Sequence, residues 1–85
     1  MKWNEIRKIY PDCWVLIEAL KAYSKKGIRI IDEISVINIF NDSPLALKEY
    51  AHLHHEMPFK ELYVLHTSRE KIEIPERSWL GIRTK

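Results

Sequence analysis

The 85-residue chain predicts a small α+β domain with topology α-β-β-α-β, one main helix lying on one face of a three-stranded mixed sheet of strand order 2-1-3. Three observations carry that prediction. Residues Ile28 to Phe40 (IRIIDEISVINIF) are dense in β-branched side chains and contain neither glycine nor proline. A second β-rich run, Trp14 to Ile17, precedes them across a Ser24-Lys25-Lys26-Gly27 turn signal, so the two read as a long antiparallel hairpin. Between Pro44 and Met57 the apolar residues recur at helical spacing instead.

Taken in order, Trp3, Ile6 and Tyr10 suit one face of a short helix that Pro11 ends. Pro11-Asp12 turns the chain into Cys13. In the next segment Trp14 to Ile17 favours strand, whereas Glu18 to Ala22 has helical propensity, with Gly27 as a possible helix end. Strand is chosen throughout, because the β-rich run that follows needs a neighbour. Asn41-Asp42-Ser43-Pro44 is the clearest boundary: Asp42 or Ser43 can accept the first free N–H groups of a helix, and Pro44 suits its first helical position. That helix runs to about Met57, is stopped by Pro58, and places Ala46, Leu47, Tyr50, Leu53, His54 and Met57 on one face. Residues Glu61 to His66 read as a third strand, and Thr67 with Glu70 has the spacing of a capping box for a single turn over Ser68 to Glu70. Lys71 to Lys85 reads as irregular, yet its apolar residues Ile72, Ile74, Trp79, Leu80 and Ile82 suggest packing onto the body. The third strand is expected beside the first, leaving the second on an edge. The sheet face opposite the main helix must be covered by the tail, the N-terminal helix or a second molecule.

Composition limits the function. One domain spanning residues 1–85 is expected, and 46% hydrophobic residues support a small core. One cysteine, Cys13, forbids an intrachain disulfide and points to a reducing, cytoplasmic setting. The apolar run Cys13 to Ile17 is too short for a signal core, and no run approaches a membrane span. The net charge of +2 is unevenly distributed: residues 1–29 hold seven basic and three acidic groups, residues 30–61 two and six. An acidic middle between basic ends reads as a solvated surface.

The residue string Tyr10-Pro11, Trp14-Val15-Leu16-Ile17-Glu18-Ala19-Leu20, His66-Thr67-Ser68-Arg69-Glu70 and Trp79-Leu80-Gly81-Ile82-Arg83 resembles a group of short bacterial proteins of unknown function. The resemblance covers most of the chain, supports a strand over residues 14–23, and places Trp79 to Arg83 within the folded unit. It implies no functional residue.

Catalytic and metal signatures are weak. His52 and His55 are three apart and His66 follows, but neither HExxH nor Cys-x-x-Cys occurs, and His54 reads as a hydrogen-bonded core histidine. Cys13, Ser35, Thr67 and Ser68 lack any flanking nucleophile signature. Gly27 and Gly81 are too few for a phosphate-cradling loop, and Asp32 and Glu33 point to opposite strand faces. No cofactor is called for, and the chain reads as a non-enzyme. Arg69, Lys71, Arg77, Arg83 and Lys85, interspersed with Trp79, make the case for nucleic-acid contacts by a small regulator or antitoxin-like protein. Glu70, Glu73 and Glu76 dilute that charge, and Trp79 suits structural anchoring better. The favoured expectation is a cytoplasmic interaction module that forms a homodimer. Its proposed contact is the uncharged strand end Ser35–Phe40, with Ser35, Ile37, Ile39 and Phe40 as the self-association edge.

Overall fold

A computed structural model of the chain describes residues 1–75. The elements are α1 (Trp3–Ile9), β1 (Trp14–Lys25), β2 (Ile28–Phe40), α2 (Ser43–Glu56), β3 (Leu62–His66) and β4 (Glu73–Pro75). The class is α+β. The three-stranded mixed sheet of order 2-1-3 is corrected to a four-stranded sheet of order β3-β1-β2-β4 in which every neighbouring pair is antiparallel. No pair of neighbours is parallel because β1 runs opposite to both β2 and β3; those two share a direction but no ladder, so the expected order 2-1-3 is itself incompatible with a mixed sheet. The fourth strand, within the segment read as irregular, pairs Glu73, Ile74 and Pro75 with Ile30, Arg29 and Ile28. It has only three residues, and Pro75 at its end hides the strand signal. With β4 beside it, the start of β2 is interior to the sheet, so β2 is not the edge strand expected.

The hairpin turns at Lys26 (φ 52°) and Gly27 (φ 78°), both left-handed, as the tightest two-residue hairpin turns require. Glu18 to Ala22 is strand in spite of its helical propensity, because β2 pairs along one side of it and the chain entering β3 bonds Glu18 and Ala19 on the other. The β1–β2 register shifts at Leu16/Ile17, Ala19/Lys21 and Lys21/Ala22, which leaves Ile37, Leu20 and Asp32 as unmatched residues. Such bulges raise the twist of a long ribbon.

Both sheet faces are covered. Val15, Ile17, Ile31, Ile34 and Leu65 form one buried cluster with Trp3 and Ile6 of α1 and with Ile72. Leu16 and Leu62, which alternate with these along the strands, are buried on the opposite side, as is Ala46 of α2. The N-terminal helix therefore supplies the cover that the sequence left open. Its start is satisfied by Glu5 Oε1, which accepts the Lys2 N–H at 2.8 Å. Before it, Met1 runs along the outer side of β2, its carbonyl accepting from Ile34 N–H at 2.9 Å and its ammonium donating to Ile34 O at 2.7 Å.

Three bonds that involve side chains, beside the backbone bond from Thr67 N–H to Cys13 O, fasten α1 and the chain leading into β1 to the segment after β3. Trp3 Nε1 donates to Arg69 O (2.7 Å), Arg7 Nε donates to Thr67 O (2.8 Å), and Cys13 N–H donates to Thr67 Oγ1 (3.0 Å). Thr67 is 3% exposed, so its hydroxyl replaces water as partner of a part-buried N–H. In place of the expected helical turn over Ser68 to Glu70 the chain makes a hydrogen-bonded turn in which Arg69 N–H donates to His66 O at 3.1 Å, and the Thr67 hydroxyl accepts from Cys13 N–H.

α2 is capped by Asp42, whose carboxylate accepts from Leu45 N–H at 3.0 Å, with Pro44 in its first turn. Its apolar face is narrower than expected. Ala46 is buried and Tyr50, Leu53 and Met57 are half-buried, whereas Leu47 and His54 are exposed. His54 is not a core histidine; its ring stacks parallel on Tyr50 with centroids 5.6 Å apart.

Candidate functional site

The most developed polar arrangement lies where the chain passes from α2 into β3. Arg29 on β2 and Glu61 just before β3 are 32 residues apart, yet Nε and Nη2 of Arg29 each donate to one carboxylate oxygen of Glu61 at 2.9 Å. Tyr63, two residues along the same strand face, donates its hydroxyl to Glu61 Oε2 at 2.6 Å, and Arg29 Nη1 donates to Ser24 Oγ at 3.2 Å. The bidentate guanidinium bonds hold the Glu61 carboxyl below the usual carboxylate range against the opposing effect of burial, and the Tyr63 hydroxyl assists. Burial first, and then the bond to the Glu61 carboxylate, push the Tyr63 phenol above its ordinary value.

Arg29, Glu61 and Tyr63 line a hollow of about 370 Å³ together with Tyr50, His54, Pro58, Phe59, Leu62 and Ile74. Lys60, also on its rim, is paired with Glu18 at 3.2 Å. Phe59 stands on the turn after α2 with 81% of its surface exposed. Charges are matched within the hollow, so it offers apolar and aromatic surface beside neutralised polar groups. Sequence reasoning missed this site. The one signal was the i, i+2 spacing of Glu61 and Tyr63, which shares a strand face; nothing local connects it to Arg29.

Tyr63 yields a direct expectation. Its pKa is raised by folding, so its contribution to stability is complete below the unfolded value of about 10 and is lost as pH rises through the folded value. Tyrosinate absorbance, compared between the wild type and Tyr63→Phe, is expected to show one phenol that resists ionisation where the other tyrosines titrate. Identical titration of Tyr63 and the other tyrosines would contradict the bonded geometry.

The residues singled out for self-association lie at the far end of β2. Ile37 and Ile39 are 39% and 44% exposed, Ser35 and Phe40 are half-buried, and no strand pairs with the outer side of these residues among those described. Ile37 is the unmatched residue of a bulge that interrupts the ladder with β1, and Ile39, paired with Val15, donates its N–H to the Asn38 side chain at 2.8 Å. Phe40 with Leu45, Lys48, Glu49 and His52 lines a second, shallower hollow of about 430 Å³.

Of the residues offered for nucleic-acid contact, Arg69 and Lys71 are exposed between β3 and β4. Arg77, Trp79, Arg83 and Lys85 lie outside the described residues, as does the expected packing of Leu80 and Ile82.

The histidines are dispersed. His52 approaches Glu56 one turn along α2 (3.8 Å), His54 stacks on Tyr50, and His66 meets Trp14 edge-on at 5.0 Å. Among the described residues, no three His, Cys, Asp or Glu side chains gather as metal ligands. His66 Nδ1 accepts the Ser68 N–H at 3.1 Å and lies 2.8 Å from Ser68 Oγ, while its Nε2 is 3.8 Å from Asp12 Oδ1. This superficially triad-like set is a local turn: Asp12 is exposed, and neither hollow adjoins it. Cys13 Sγ is half-buried and donates to Tyr10 O at 3.3 Å. No helix among the described residues is long and apolar enough to cross a membrane.

Comparison of the chain with protein-family models, curated proteins and solved structures finds no match.

Proposed function

We propose that this protein is a non-catalytic interaction module that associates with a second copy of itself through the Ser35–Phe40 end of β2. The observation that supports this reading is the pair Ile37 and Ile39, more than a third exposed, in a six-residue stretch without a charged side chain and without a neighbouring strand among the described residues. The mode differs from simple ladder extension. The bulge at Ile37 and the Asn38 bond to Ile39 N–H blunt the backbone edge, so the contact is made by side chains packing across a twofold axis. A cytoplasmic setting belongs to the same reading and rests on the single unpaired cysteine.

Light scattering and sedimentation of purified protein at micromolar concentration test it. The wild type is expected to be dimeric, and Ile37→Lys or Ile39→Lys is expected to yield a folded monomer, because a buried ammonium at the centre of an apolar contact is not solvated. A wild-type monomer, or a dimer indifferent to both substitutions, refutes this surface.

A further inference from the structure

Glu61 keeps room for one more hydrogen-bond partner. Its Oε2 accepts from Arg29 Nε and from the Tyr63 hydroxyl, whereas its Oε1 accepts from Arg29 Nη2 alone among the described residues. The guanidinium bonds keep the carboxyl ionised, so it acts only as an acceptor, and a carboxylate offers about four acceptor positions in all. The side chain retains 30% of its exposure and lines the hollow of about 370 Å³. The fourth position therefore suits a donor that enters from that hollow. Arg29 already balances Glu61, and Lys60 on the rim is paired with Glu18. A second fixed charge would have to break one of these pairs, so charge complementarity selects an uncharged occupant.

The surroundings of that position are aromatic. Tyr50, His54, Phe59 and Tyr63 all line the hollow, and they come from α2, the turn after it and β3. The rings of Tyr50 and His54 lie with their planes 5° apart. Phe59 is the most exposed large apolar side chain among the described residues, at 81%. Rings of this kind pack well on another ring, offset or edge-on. The volume sets the size: a cavity of roughly 150 Å³ holds one benzene ring, so about 370 Å³ holds two fused rings with space for a substituent. An apolar, ring-lined hollow with a few convergent polar groups is the usual form of a small-molecule site.

We infer that this hollow binds a small, uncharged, planar aromatic molecule that bears an N–H or O–H group. Its rings pack against Tyr50 and Phe59, and its donor bonds Glu61 Oε1. The site shares no residue with the Ser35–Phe40 contact, so either can fail without the other.

The test is titration of the isotope-labelled 85-residue chain with indole, followed by nuclear magnetic resonance. Saturable shifts are expected at the rings of Tyr50, His54, Phe59 and Tyr63. N-methylindole keeps the rings and loses the donor, and it is expected to bind at least about tenfold more weakly. Indoleacetate and tryptamine, an anion and a cation on the same rings, are expected to bind more weakly than indole. Phe59→Ala removes an exposed ring and is expected to weaken indole about tenfold. Should Phe59→Ala fail to fold, the comparison of the four probes on the wild type still decides the matter. Absence of saturable shifts at millimolar indole, equal binding of N-methylindole, a charged analogue that binds as tightly as indole, or shifts confined to Phe40 and Leu45 overturns the proposal. So does indole binding by Trp79→Ala alone, which would assign the hollow to the chain's own residues 76–85. A wild-type dimer that Phe59→Ala dissociates would assign it to a second copy, and overturns the proposal as well.

Discussion

Trp3→Ala is expected to lower the free energy of unfolding by about 3–5 kcal/mol, most of the stability of a domain this small. Trp3 is buried against Ile6 of its own helix and the Val15, Ile17 and Leu65 cluster of the sheet. Its indole N–H also bonds Arg69 O, 66 residues away, so alanine leaves both a cavity and a carbonyl without its partner. Trp3→Phe separates these effects. It keeps most of the ring volume and loses only the N–H bond, for an expected cost of about 0.5–1.5 kcal/mol plus some repacking. Urea unfolding followed by far-ultraviolet circular dichroism reads both. If Trp3→Ala moved the midpoint no further than an exposed Ile9→Ala control, α1 would not be the cover of that sheet face.

Arg29→Met is expected to destabilise by about 1–3 kcal/mol, the range for leaving a buried polar group without its hydrogen-bond partner. The side chains of Arg29 and Glu61 retain 29% and 30% of their exposure, so solvent screening places this pair well below the cost of breaking a fully buried one. In the double variant with Glu61→Gln, the combined loss is expected to fall short of the sum of the single losses, because each substitution removes the same contact. The pH dependence supplies a second reading. The folded state lowers the Glu61 pKa, chiefly through the Arg29 hydrogen bonds, so the stabilisation is present above the unfolded carboxylate value of about 4.3 and is lost as pH falls through the folded value. The wild type should therefore lose stability on acidification in that window, and Arg29→Met should show a shallower loss. Parallel pH profiles for the two proteins would remove the ion pair from the account of this site.

How much was legible follows from the range of each interaction. The hairpin was readable because β-branched density and the Lys26-Gly27 turn act over neighbouring residues. The same holds for α2, where Asp42, Pro44 and Pro58 mark the ends through local backbone chemistry. Leu47 and His54 were misplaced because their spacing suits the apolar face, whereas the sheet beneath α2 contacts only a narrow stripe. β4 was missed because three residues carry almost no propensity; its existence depends on the backbone of Ile28 to Ile30 lying open beside it.

By itself, then, the sequence determined where α1, the hairpin, α2 and β3 lie, since those preferences reside in side-chain branching, proline and glycine stereochemistry and capping groups a few residues apart. Tertiary structure alone decided which strand became an edge, which helix covered the second face, and that Arg29, Glu61 and Tyr63 share one hydrogen-bonded cluster. Those outcomes depend on competition among distant segments for the same buried surface and backbone groups, a contest that only the closed chain resolves.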